Sequence, residues 1–400
     1  MAFLMIILAI IVGCGFGIIT GITPGVHINL VAAIILGLLP TLLKFVDLTF
    51  LAVLIVSMSI AHTFLDFIPS CYLGAPDDET ALAALPGHIM LLQGRAFEAV
   101  KLTTIGSLLS LVATVIIAPI LIFAVPFIWN NVKNYVGYLL IALVIFMIAR
   151  SSKKIWSIII FLFSGLFGIL VFSLNLSEPL FPMLSGLFGI SMLLVSLKDN
   201  VNIPEQKITD EKLVNSKEAM KAVGAATISG SLVSIFPTLG ATQAAIIVTS
   251  IMKDIAMYPY MILMGGINTV SMVVALITFY TIDKARNGSI AVVQTMIQTI
   301  TLEKLLMFFA VSIIAGAIAT FLTLKISKIF SKFIVKVNYK MLCISIIAFV
   351  SLLVLIMAGP IGFLVLLVST AIGLIPNLTE TGRNMAMGCL ILPVILYFVL

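Results

Sequence analysis

Charge is scarce in this chain of 400 residues: Asp, Glu, Lys and Arg together make up 10% of it, against roughly 25% in a soluble domain. Apolar residues make up 62% and the mean hydropathy is +1.28, which excludes a water-soluble globule and indicates an integral membrane protein. Strict polar-apolar alternation, the mark of a membrane β-barrel, is missing from the apolar runs. Runs able to supply helices of about 20 residues recur instead, so the expected fold class is all-α and polytopic. Cysteine is also rare. Cys14, Cys71, Cys343 and Cys389 stand singly in or beside apolar segments without metal spacing, and read as small apolar fillers. There is no Gly-Lys-Ser/Thr phosphate loop, no HExxH and no Gly-x-Ser-x-Gly, so ATP hydrolysis by this chain is not expected. No basic residue precedes the apolar N-terminus, and the run continues beyond Ile11-Val12-Gly13-Cys14. Lipidation of Cys14 is therefore not expected, and the N-terminus is expected to be retained.

The net charge is +6, but the basic residues sit in short loops between apolar runs, where they act as topology signals and do not form a nucleic-acid surface. The longest strongly polar stretch divides the chain almost equally. It sets an expected organisation of a first membrane repeat over 1–197, a cytoplasmic linker over 198–217 and a second membrane repeat over 218–400. A proline break recurs in the two halves: GIITGITPGVHINLVAAII from Gly17 aligns without gaps against GSLVSIFPTLGATQAAIIV from Gly230. Glu98-Ala-Val-Lys opens a span in the first half, as Glu303-Lys-Leu-Leu does in the second.

Arg150, Lys153 and Lys154 follow the span at 135–149, whereas Lys325, Lys328, Lys332, Lys336 and Lys340 precede its counterpart at 341–357. The basic loop has changed ends, so equivalent spans cross in opposite directions. Two inverted-topology repeats are expected, each a Pro/Gly-broken hairpin plus about five transmembrane helices. Segments 3–22 and 25–43 form either two crossings or one re-entrant hairpin, as do 219–236 and 239–252.

Proline removes a backbone donor and glycine permits unusual backbone geometry. A helix broken in this way within a membrane is tolerated where it faces protein or a watery cavity. Restarted helices offer free N–H groups and a positive dipole end to an anion. The expected substrate site is therefore Thr23, Pro24, Gly25, His27 and Asn29 from the first break, with Pro237, Thr238, Gly240, Thr242 and Gln243 from the second. Ordinary proline kinks are the plainer alternative. His62 and Asp66 stand at i and i+4 on one helix face; they suggest a proton or cation site, or Asp66 caps a helix end. Asp77, Asp78 and Glu79 either open a helix or collect a cation. His88 reads as an interfacial histidine. Gly265 and Gly266 read as sites of close helix approach, with Asn268 and Thr269 as further candidates. Glu380 and Arg383 are expected to pair in a loop.

Gly87-His-Ile-Met-Leu-Leu-Gln-Gly-Arg-Ala-Phe-Glu-Ala-Val100, preceded by Tyr72-Leu-Gly74, resembles the large membrane subunit of the tripartite tricarboxylate transporters, in which Met90, Gln93, Gly94, Arg95 and Ala96 keep the family pattern. Gly373-Leu-Ile-Pro-Asn377 and Met387-Gly-x-x-Ile-Leu-Pro-Val394 look like the archaeal branch. The resemblance implies a prokaryotic cell-membrane permease for small carboxylates, coupled to Na⁺ or H⁺, with no other cofactor. Its implied partners are a small membrane subunit and an extracytoplasmic binding protein. A second copy of the chain is a further candidate. The acidic Ala-Pro-Asp-Asp-Glu-Thr run departs from the bacterial pattern. Two other functions remain open: translocation of a polyprenyl-phosphate-type lipid, whose phosphate would suit the same helix ends, and an intramembrane enzyme using His62 and Asp66.

Overall fold

The computed structural model describes residues 2–24, 26–75, 80–174, 176, 179–198, 203–209, 211, 213–236, 241–252, 255–336 and 339–399, and among these there is no strand. The first half runs through α1 (Ala2–Ile22), α2 (Ile28–Gly37), α3 (Leu39–Leu42), α4 (Leu48–Leu65), α5 (Phe67–Leu73), α6 (Ala81–Leu92), α7 (Ala96–Val132), α8 (Val136–Arg150), α9 (Lys154–Ser173), α10 (Leu180–Leu184) and α11 (Ser191–Lys198). The second runs through α12 (Ser216–Val233), α13 (Ala241–Ile251), α14 (Met257–Ile282), α15 (Gly288–Ile297), α16 (Leu302–Ile334), α17 (Tyr339–Leu378) and α18 (Gly388–Val399). Among the described residues, 7 helical segments are long and apolar enough to cross a membrane. With that composition, the protein is a multi-pass membrane protein.

Local chemistry places the ends. Asp47 accepts from Phe50 N at 2.7 Å to open α4, Asn215 from Glu218 N at 2.8 Å to open α12, and Asn287 from Ile290 N at 2.8 Å to open α15. Glu98 and Glu303 lie in the first turns of α7 and α16, as their matching positions suggest. Gly359, at φ 66°, and Pro360 break α17 internally. Short helices intervene between long ones: α2, α6, α13 and α15 have 10, 12, 11 and 10 residues. At 1.5 Å per residue each reaches about half of a hydrocarbon layer ~30 Å thick.

The two halves follow one plan. Leu48–Leu73 and Met257–Ile282 each cover 26 residues, each precedes a short helix, and each is followed by a long one (α7 and α16, of 37 and 33 residues). Their packing partners are exchanged between halves: α4 lies on α16 and α14 on α7, while α9 lies on α18 and α10 and α11 on α17. At the centre are α4 and α14, whose spans are 89% and 94% buried, against 33% for α1 and 28% for the α17 span.

Part of the connecting segment between halves is bound to the protein. Gln206 accepts from Ala96 N at 3.0 Å and donates to Leu91 O at 3.0 Å, bridging the end of α6 and the start of α7. Lys207 N donates to Gly94 O at 2.8 Å. Gly94 has φ 76°, and a Cβ there would lie 2.7 Å from Glu205 O, which is why glycine stands in this elbow. Thr209 Oγ1 donates to the buried Glu98 at 2.5 Å.

Close helix approach rests on small residues. Gly13, Gly17 and Gly21 form a stripe on α1, and a Cβ at Gly17 would lie 2.5 Å from Ala61 Cβ, at Gly21 2.6 Å from Leu65 Cβ. Gly265 and Gly106 likewise bring the α14 and α7 backbones together, in agreement with the small-residue reading of Gly265. All four cysteines are buried and none is joined in a disulfide. Gly17→Ala should therefore lower the unfolding midpoint in detergent, at an overpacking cost of about 1–3 kcal/mol. Gly15→Ala, where nothing lies within 4 Å, should leave it unchanged or raise it.

Candidate functional site

The two most buried helices, one from each half, meet through polar side chains. Thr63 Oγ1 on α4 lies 3.0 Å from Thr269 Oγ1 on α14. Asp66, between α4 and α5, accepts from Asn268 Nδ2 on α14 at 2.6 Å. Both Asp66 and Asn268 are buried, 1% and 0% exposed. The chain bends at Asp66 because Pro69 has no N–H to return to Leu65 O in the preceding turn, and the next turn is held by Ser70, whose Oγ donates to Asp66 O at 2.9 Å. Asp66 does terminate α4, as its capping alternative holds, yet it makes no side-chain cap to the helix that follows. Its carboxylate is given over to α14.

His62 shares the face. Its Nε2 lies 4.0 Å from Asp66 Oδ2, and its Nδ1 lies 3.2 Å from Thr20 Oγ1 on α1. Thr20 Oγ1 also lies 3.3 Å from Gly17 O, to which its hydroxyl can donate. The two ring nitrogens of His62 thus face different partners, Nδ1 the Thr20 hydroxyl and Nε2 the carboxylate. His27 completes the group, with its ring centroid 5.2 Å from that of His62 in an edge arrangement.

His27 comes from the first helix break. Thr23 N still donates to Ile19 O at 3.2 Å, and Val26 N to Thr23 O at 3.1 Å, so the chain turns tightly about the buried Pro24. His27 then caps α2, accepting from Asn29 N on its Nδ1 at 3.3 Å. Asn29 points elsewhere. It is exposed and lies against the start of α15, where a Cβ on Gly288 would sit 2.6 Å from Asn29 Cγ.

The structure thus brings His27, His62, Asp66 and Asn268 together and sets Asn29 apart, on an inter-half contact. Gly25, Pro237, Thr238, Gly240, Asp77, Asp78 and Glu79 lie outside the described residues. Thr242 and Gln243 are buried in the first turn of α13, and Phe236, just before the second break, packs 6.1 Å from the Trp129 ring. His88 lies within α6, its side chain buried against the protein. Glu380 pairs with Lys153 at 2.8 Å, which holds its carboxyl below the usual range. Arg383 bonds Asn377 at 2.9 and 2.7 Å, so the expected pairing of Glu380 with Arg383 does not form. Among the described residues no group of three or more His, Cys, Asp or Glu side chains could hold a metal ion.

Thr20, Thr63 and the Ser59–Ser289 contact at 2.8 Å escaped the sequence reading. A signal was present: Ser59, His62, Thr63 and Asp66 recur every three or four residues, one polar stripe on an otherwise apolar helix. Thr20 lies on the stripe of α1 that carries Gly13 and Gly17.

A profile of the family described as "Tripartite tricarboxylate transporter TctA family" matches residues 7–388. The chain is 30% identical to the "Uncharacterized protein MJ1079" of Methanocaldococcus jannaschii, over 98% of each chain. No solved structure matches.

Asn268→Leu should destabilise the protein by about 1–3 kcal/mol, the cost of leaving a buried charged acceptor without its donor. Thermal unfolding in detergent measures it, and Asp66→Asn on the same background should recover part of the loss, because the buried charge is then gone.

Proposed function

We propose that this chain, which belongs to the tripartite tricarboxylate transporter TctA family, is a secondary-active permease that moves a small organic anion of the di- or tricarboxylate kind across the cell membrane. One observation carries the reading: the helix break at 23–27 delivers His27 to a buried cluster at the crossing of the two innermost helices, 5.2 Å from His62. The restart of α2 at this break sets the positive end of its dipole beside an imidazole, and an anion carboxylate is a ligand that this pairing favours. The second break, at Pro237, Thr238 and Gly240 with Thr242 and Gln243, supplies the facing half of the site in this proposal.

Inverted repeats fit the same reading. Their support is the shared element order, the exchange of packing partners between halves and the basic loops at opposite ends of equivalent spans. The basic loops set the linker in the cytoplasm. In the complete system the permease works with a small membrane subunit and an extracytoplasmic binding protein, the arrangement for which the family is named.

Reconstituted in liposomes, the purified chain should take up citrate or another member of a carboxylate panel saturably under an imposed H⁺ or Na⁺ gradient. Pro24→Ala and Gly25→Leu should lower uptake by roughly tenfold or more, as loss of positioning does, with expression unchanged. Uptake of no carboxylate, together with movement of a fluorescent polyprenyl phosphate between leaflets, would replace the permease with a lipid translocase.

A further inference from the structure

Asp66 is a buried carboxylate at the centre of the protein, and two groups from different helices, Asn268 and His62, flank it in a way that suits two charge states. In the ionised state Asn268 Nδ2 donates to Oδ2, a short contact of 2.6 Å. The same amide carries the fully buried Asn268 Oδ1, which has no hydrogen-bond partner among the described residues. A carboxylate cannot fill that acceptor; a carboxylic acid can donate to it. On the other side, Nε2 of His62 lies 4.0 Å from Oδ2. A carboxylate and an imidazole set this close can share and pass one proton.

The described groups around this place come from several elements. From α4 comes His62 and from α5 Cys71, with Tyr72 beyond, bonded to Ser327 and Ser331 of α16. From the break comes His27, from α1 Thr20, and from α14 Asn268 and Thr269. Farther off, beyond Tyr72, lies the buried Glu98 of α7.

We infer that Asp66, with His62 and Asn268, is the site of a coupling proton: it is taken up as H⁺ onto the Asp66 carboxylate on one side of the membrane and released from it on the other. This rests on the permease reading, and it selects the proton over Na⁺. Coupling follows from charge. His27 ties the helix break to His62, so an anion held at the break is a near neighbour of Asp66 in a low-dielectric interior. An ionised Asp66 repels it, and a protonated one does not. Each ligand therefore favours the other, and the linkage is reciprocal.

The test uses the full chain in liposomes, with labelled citrate outside and a pH dye inside. Counterflow of labelled citrate against unlabelled citrate preloaded inside, which needs no ion gradient, is read separately from citrate accumulation driven by a proton gradient. In wild type, accumulation should follow the pH gradient and carry protons inward. Asp66→Asn, nearly isosteric and still able to bond Asn268, should keep counterflow and lose gradient-driven accumulation and proton entry by about tenfold or more, within the 5–150-fold typical of coupled sites. Retained proton-driven accumulation in Asp66→Asn, or wild-type accumulation that follows Na⁺ without proton movement, overturns the proposal and leaves the permease standing.

A wild type with no counterflow for any carboxylate overturns the permease reading instead. A substrate-free measurement then still decides the proton site. Infrared difference spectra on acidification should show a buried protonated-carboxyl band that is absent in Asp66→Asn; if both proteins give the same spectra, Asp66 does not take up a proton.

Discussion

Removal of water from polar groups at the centre of a membrane protein is the constraint on which the rest of this structure depends. A carboxylate in that setting must be met by donors from the protein, because nothing else there can solvate it. Asp66 is met by Asn268 from the other half of the chain, and the Thr63–Thr269 contact lies beside it. The crossing of α4 and α14 is thereby specified by polar bonds, where apolar packing alone would leave helices in lipid free to slide. Glycines at the contacts with the flanking helices let this core stay narrow: α1 closes on α4 through Gly17, and α7 and α14 close on each other through Gly106 and Gly265.

The halves share an order of elements, but not their chemistry. Setting Leu48 against Met257, the first residues of the two 26-residue spans, places Asp66 opposite Ala275. The charged group therefore belongs to the first half and its amide partner to the second. Such a division makes each half incomplete without the other, and it places the polar centre at the contact between them.

Much of this was legible beforehand, for reasons that differ from residue to residue. Apolar excess and run length gave the all-α membrane class. The Ile-x-Pro core common to 17–35 and 230–248 pointed to the two breaks, and His62 with Asp66 stood out because ionisable residues are costly in such a run. Asn268 could be named only as a polar residue in a span. Its bond to Asp66, across 202 residues of chain, has no local trace. Thr20 and Thr63 were invisible for another reason, since hydroxyls in membrane helices usually bond back to their own turn, as Ser57 does to Val53 O at 2.8 Å. Arg383 was misassigned because a nearby acid in sequence looks like a partner, whereas Lys153, far away along the chain, lies nearer to Glu380 in space.

The segment between the halves has a mechanical meaning. With Gln206 bonded to both Leu91 O and Ala96 N, and Lys207 N bonded to Gly94 O, the elbow of α6 and α7 cannot shift relative to residues 203–209 without breaking those bonds. A flexible tether would absorb such a shift. Here the elbow is instead fastened to Gln206 and Lys207, so the point where the chain leaves one half for the next also resists displacement of that elbow.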